Sequence, residues 1–285
     1  MDDDAMKQRV AAAQGGDRHA LSELLRDIQD DVFDLALRML GDADDARDAT
    51  QEVLVRVITK LSTFRGESRF RTWVYRVAAN ALLDARGPRR RRAASFAETG
   101  HLLEAALDEG AGGDPPTDAA HEALANEVKL FCTHGMLLCL DRPHRLAYIL
   151  GKILELPGEE AAAVLGTSPA AYRKRLSRAR REMEEFLSRH CGLANPEHRC
   201  RCVKLVPAAH RAGVFLPSRT RLEHLPARRA DRLRLDVERV RGAAEIYRSL
   251  PSFASPDDFA AGLRALLDGI EEERSGGADI HKEAS

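Results

Sequence analysis

LPGEEAAAVLGTSPAAYRKRLSRAR, residues 156–180, reads as a short helix, a tight turn and the start of a longer basic helix. The apolar positions of the first segment stop at Gly166, a residue type that ends helices by adopting left-handed backbone angles. Ser168 offers a side-chain oxygen to the free N–H groups of the next helix. Pro169 suits that helix's first position, where a missing N–H costs nothing. Tyr172, Leu176, Ala179, Met183 and Phe186 then recur at helical spacing and predict a buried stripe. Arg173, Lys174, Arg175, Arg178, Arg180 and Arg181 stand between them. A short helix, a Gly-containing turn and a longer basic helix form a helix-turn-helix pattern, whose second helix enters the DNA major groove N-terminal end first. The alternative is an ordinary basic surface helix in a bundle. The turn and cap chemistry favours DNA binding.

Working outward, the chain has 285 residues, 44% hydrophobic and 31% charged, with aromatics at 5%. That length holds two domains, with room for a small third. Few glycines and prolines precede residue 86, which predicts an all-α fold. The net charge of −1 announces no global nucleic-acid binder. The charges are segregated instead, with Asp42, Asp44, Asp45, Asp48 and Glu52 far in sequence from the basic run. The N-terminus is acidic, the wrong sign for a secretory signal. No apolar run approaches the roughly 20 residues of a membrane span. A cytoplasmic protein with reduced cysteines and no membrane contact is expected.

Residues 1–86 read as one helical domain. Ile28, Val32, Leu35, Ala36 and Met39 recur at helical spacing up to Gly41. Asp42 is placed to cap a second helix with Ala46, Ala49, Val53, Val57 and Leu61 inward. Asp45, Asp48 and Glu52 share another face of it. After the break Arg65-Gly66-Glu67-Ser68, a third helix buries Phe70, Trp73, Val74, Val77 and Ala81, with Arg69, Thr72, Arg76 and Asn80 on a polar stripe. Phe64 and Tyr75 fit the apolar stripe less well and are candidate base contacts, beside cations that neutralise phosphate. Residues 87–120, rich in Arg, Gly and Pro, read as a flexible linker. Residues 121–190 form the helix-turn-helix domain. Residues 191–285 form a Cys-containing helical extension, with amphipathic helices near 221–249 and 256–272.

Two stretches resemble a known family. Residues 35–84, LALRMLGDADDARDATQEVLVRVITKLSTFRGESRFRTWVYRVAANALLD, resemble the second conserved region of extracytoplasmic-function sigma factors, and residues 156–180 resemble their fourth. With flanking helices the resemblance spans roughly residues 6–86 and 124–188. It implies a subunit that binds core RNA polymerase, through β′ and β, and reads promoter DNA without catalysis of its own. The acidic helix would dock on β′ through Asp45, Asp48, Gln51 and Glu52. The following segment would melt and read the minus-ten element through Phe64, Arg65, Arg76 and Asn80. The helix-turn-helix would read the minus-thirty-five element through Arg173, Lys174, Arg175 and Arg178. The sequence departs from the family at Gly158 and Ala161, where large side chains are usual, and at Tyr172, where a smaller one is. A core repacked around Tyr172 is expected.

The extension is unusual for the family. Cys191, Cys200 and Cys202 with His190 have the chemistry of a zinc site, with Cys132, Cys139, His134 or His198 available to complete it. Incidental buried thiols are one alternative and redox sensing is another. No cofactor is required by the function, and zinc is the one candidate. Cis regulation by the extension, or an anti-sigma partner, is open. A competing functional reading is a free-standing helix-turn-helix regulator on duplex DNA, which would not need the N-terminal domain. A metal enzyme using Asp42, Asp44, Asp45 and Asp48 is disfavoured, because no His or Glu converges on them and no Gly-rich phosphate loop is present.

Overall fold

The computed structural model describes residues 3–84, 94–109, 118–213, 243–248 and 252–255. Among these residues the architecture is all-α. The N-terminal unit comprises α1 (Asp3–Gln14), α2 (Arg18–Leu40), α3 (Ala43–Lys60) and α4 (Phe70–Asp84). Asp17 caps α2 by accepting from the Ala20 amide at 3.0 Å. Gly41 ends α2 at φ 74°, its N–H returning to Leu37 O, and Asp42 then accepts from the amides of Asp44 and Asp45 to start α3. A side chain at Gly41 would pay twice, for the left-handed backbone and for a collision with Leu138. Leu24, Ile28 and Phe33 of α2 meet Val53, Leu54 and Val57 of α3 and Phe70, Val74 and Ala78 of α4 in a dry core.

The stretch read as a linker contains a helix, α5 (Phe96–Glu109). Its start is a capping box: Ser95 Oγ accepts from the Glu98 amide at 3.2 Å, and Glu98 Oε2 accepts from the Ser95 amide at 2.7 Å. Residues 85–93 and 110–117 of that stretch lie outside the described residues.

The second unit comprises α6 (Ala119–Cys139), α7 (Arg142–Tyr148), a π-helical turn (Ile149–Ile153), α8 (Gly158–Val164) and α9 (Pro169–His190). A loop leads to α10 (Cys202–Arg211), which packs along α6. Of the amphipathic helices expected near 221–249 and 256–272, only α11 (Ala243–Arg248) falls within the described residues.

The two units pack against each other and share one contiguous core. Buried Arg145 of α7 donates to the carbonyls of Leu137, Leu138 and Leu140, where α6 ends, and to Met39 O at the end of α2. One guanidinium thereby satisfies carbonyls that helix ends leave orphaned in both units. Thr72 Oγ1 of α4 bonds Glu160 Oε2 of α8 at 2.9 Å. The end of the described chain lies across the seam. Tyr247 Oη donates to Thr133 O at 3.0 Å, the Phe253 amide donates to Asp34 at 3.0 Å, and Ser255 bonds Asp30 through both its amide and its hydroxyl.

Candidate nucleic-acid and protein interfaces

On α3, Asp48, Gln51 and Glu52 are exposed and Asp45 is half-buried. The face is acidic because Ala46, Val53, Leu54 and Val57 turn inward, leaving the positions between them to solvent. Arg56, one turn on, pairs with Glu52 at 2.5 Å. Carboxylates in the first turns also suit the positive end of the helix dipole. The four docking candidates thus lie together on one element.

The break before α4 is pinned by Gln14, whose side-chain amide donates to Leu61 O and Phe64 O, both at 2.9 Å. Half-buried Phe64 joins Phe70 and Trp73 in an aromatic cluster with ring centroids 5.3–5.6 Å apart. Arg65, Arg76 and Asn80 are exposed beside it. Three expectations are corrected here. Tyr75 is not a base contact: it is buried, because Tyr75, Ala78, Ala79 and Leu82 form a second apolar stripe against the core. Thr72 leaves the polar stripe, buried against Glu160. Trp73, expected in the core, is only half-buried. The outward row is therefore Arg69, immediately before α4, followed by Trp73, Arg76 and Asn80 on it, at offsets of four, seven and eleven that keep one face.

In the helix-turn-helix, Gly166 takes φ 59° and Ser168 Oγ accepts from the Ala171 amide at 3.2 Å. Tyr172, Ala179, Met183 and Phe186 are buried, and Leu176 is half-buried. Tyr172 fills the space left by small residues: its ring edge stands 4.0 Å from where a Cβ of Gly158 would be, and its hydroxyl occupies the place of a Gly151 Cβ. Burial pushes the Tyr172 hydroxyl's pKa up, and its oxygen has no hydrogen-bond partner among the described residues. Arg173 and Lys174 are exposed at the N-terminal end of α9, Arg175 is half-buried and Arg178 is exposed. Further along, Arg178, Arg180 and Arg181 pair with Glu182, Glu184 and Glu185 one turn later, at 2.9, 3.6 and 3.9 Å. Among the described residues no carboxylate pairs with Arg173 or Lys174. The unneutralised cations sit where base edges would be met.

His190 does not join the three cysteines as expected. Its Nδ1 lies 3.2 Å from Glu104 Oε1, and His198 Nε2 lies 3.2 Å from the same oxygen. These are the groups whose donor atoms fall within 4.8 Å of one another, and Cys191, Cys200 and Cys202 are outside that set. Arg199 bonds the other Glu104 oxygen at 2.8 Å, and this bond, followed by that from His190, holds the Glu104 carboxyl at about 2. Glu104 escapes a sequence reading because it lies in the presumed linker. The capping box at Ser95 and Glu98 was the available sign of its helix.

Family models agree with this layout. Sigma-70 region 2 matches residues 24–93, and Sigma-70, region 4 matches residues 130–183. The chain is similar to RNA polymerase sigma-H factor of Pseudomonas aeruginosa, 29% identical over 184 residues, which are 64% of this chain and 93% of that protein. It is similar to ECF RNA polymerase sigma factor SigE of Mycolicibacterium smegmatis, 31% identical over 61% of this chain and 65% of that one. ECF RNA polymerase sigma-E factor of Escherichia coli K12 is 29% identical over 61% and 90%. Among solved structures, CnrH in complex with the cytosolic domain of CnrY aligns at a TM-score of 0.46 and 24% identity, covering 65% of this chain and 98% of that chain. No helix among the described residues is long and apolar enough to cross a membrane.

Proposed function

The chain belongs to the extracytoplasmic-function group of the sigma-70 family, and from that premise we infer how its surfaces divide the work of promoter-specific initiation on core RNA polymerase. The observation that carries the assignment is the exposure of an acidic face on α3 and of unneutralised cations at the start of α9, each within its own matched region. Asp45, Asp48, Gln51 and Glu52 dock a basic surface of the polymerase, the β′ subunit by family resemblance. Phe64 and the Arg65, Arg76 and Asn80 side chains hold the melted minus-ten strand, with aromatic stacking offsetting part of the unstacking cost. Arg173 and Lys174 read the minus-thirty-five element, while Arg175 and Arg178 contact phosphate. The chain performs no chemistry, which belongs to the polymerase, and it works in the cytoplasm.

Geometry also supports regulation in cis. The two promoter elements are separated by about 25 base pairs, roughly 80 Å of helix. A globular chain of this length has a radius of gyration of only about 19 Å. Two units locked together by Arg145, the Thr72–Glu160 bond and the buried Ile246, Tyr247 and Phe253 cannot span both elements. The closed arrangement is accordingly a resting form, and binding polymerase selects an open one.

The assay is reconstituted transcription from genomic fragments with sigma-free core polymerase. Discrete new start sites sharing an upstream motif are expected. Duplex binding without core binding or initiation would replace this reading with a free-standing regulator.

A further inference from the structure

The extension returns to the second unit at a cluster of thiols that initiation does not use. Cys191 caps α9, its N–H bonding Leu187 O at 2.9 Å, and the loop that follows turns back at once. Gly192 is tight against Cys200 O and Arg201, so that a side chain there would collide with both. Cys200 is buried, and Cys202 is the first residue of α10. Helix α10 lies on α6, where Cys200, Leu205 and Val206 are buried with Val128, and Cys202 packs at the edge of the same cluster. Cys132 follows Val128 by one turn of α6, on the same face. Three separate segments thus deliver four thiols to one place, and each lies within electrostatic reach of the other three.

We propose that Cys132, Cys191, Cys200 and Cys202 form a four-thiolate site for a divalent cation of the zinc class, stapling α6, the end of α9 and the start of α10 together. Borderline-soft ions take tetrahedral thiolate sets of this composition. Two backbone amides and one cation face the sulfurs. The Gly192 amide donates to the Cys200 sulfur, the Cys202 amide faces its own sulfur, and the ammonium of buried Lys129 lies near Cys202 and Cys191. Binding displaces four protons and leaves a net charge of −2 at the ion, which Lys129 partly offsets.

Glu104, His190 and His198 are the competing set, since their donor atoms are already within 4.8 Å, a spacing that the cysteine sulfurs do not meet. Their hydrogen bonds argue against ligation. The Cys200 amide donates to His198 Nδ1 at 3.1 Å, which leaves the ring proton on Nε2, facing Glu104. A cation would have to displace that proton and compete with Arg199 for the carboxylate. The trio instead ties the loop to α5 beside Cys200.

The test uses the untagged full-length chain, purified with reductant and without chelator. Elemental analysis should give about one zinc per chain. The cobalt-exchanged protein should show intense sulfur-to-cobalt charge transfer, and a mercurial thiol reagent should release the metal. Cys132→Ser and Cys202→Ser should abolish the charge-transfer band, while Cys139→Ser and the double variant His190→Ala, His198→Ala keep it. The wild-type spectrum needs no variant to fold. A chain that takes up no zinc or cobalt overturns the proposal, as does cobalt bound without a sulfur band and lost in the histidine variant.

Discussion

Tyr172 replaces a usual small residue with a large one, and the cost is met at Gly151, in the π-helical turn, where a methyl group would collide with the tyrosine hydroxyl and crowd Leu176. Gly151→Ala should therefore lose about 1–3 kcal/mol in denaturant unfolding, the usual range for overpacking. Tyr172→Phe alone should be neutral or stabilising, because it removes a buried oxygen without a partner among the described residues. Combined, the two should recover part of the loss, and strict additivity would mean that they do not share this space. His134 supplies a second test at this scale. Burial, then the nearby Arg38 charge, lowers its pKa to about 4 from 6.5. The unfolded chain binds that proton first, so stability is fully present above pH 6.5 and falls as pH drops toward 4. The shift corresponds to roughly 3 kcal/mol at the acid end of that window. His134→Leu should flatten the pH dependence of unfolding between 6.5 and 4, and an unchanged slope would show the imidazole to be hydrated.

Among the elements, α9 separates two kinds of cation that composition alone lumps together. Arg173 has no carboxylate partner among the described residues, whereas Arg178 pairs with Glu182 and on the proposed contact would exchange it for phosphate. Arg173→Ala should cost about 1–3 kcal/mol on the cognate minus-thirty-five sequence and little on others, read by promoter-fragment binding. Arg178→Ala should weaken all sequences alike and reduce the salt slope. On α3, Asp48→Arg with Glu52→Arg should abolish core polymerase pull-down while leaving the melting temperature unchanged, since both side chains are exposed. The elements themselves were legible because caps and stops are local: Gly41, Asp42, Gly166 and Ser168 each announce a boundary that the structure places there. What escaped depended on neighbours far in sequence. Thr72 and Tyr75 of α4 are polar or amphipathic in composition, and only the packing of α8 and α2 against that helix turns them inward. Helix α5 escaped for the opposite reason, since glycines and prolines around it drowned a local capping signal.

For the whole molecule, the seam between the two units carries the regulatory argument. Ile246, Tyr247 and Phe253 are essentially fully buried there, and full burial of such side chains contributes on the order of 1.5–3 kcal/mol each as an upper range. The Tyr247–Thr133 bond and the Arg248–Glu155 pair tie this segment to the second unit, and the contacts of Phe253 and Ser255 with Asp34 and Asp30 tie it to the first, so together they bridge the seam. On the proposed opening, which would let the chain reach elements roughly 80 Å apart, this strap would be the opposing contact and would set the resting population of the open state. Tyr247→Ala with Phe253→Ala removes two buried anchors and leaves the residues of the α3 face, α4's outward row and the exposed cations of α9 unsubstituted. In small-angle scattering the free variant should have a larger radius of gyration than the parent chain. In reconstituted transcription it should initiate at lower protein concentration, because less free energy is spent on opening. A variant as compact and as active as the parent would assign closure to Arg145 and the Thr72–Glu160 bond instead, leaving Tyr247 and Phe253 as passive packing.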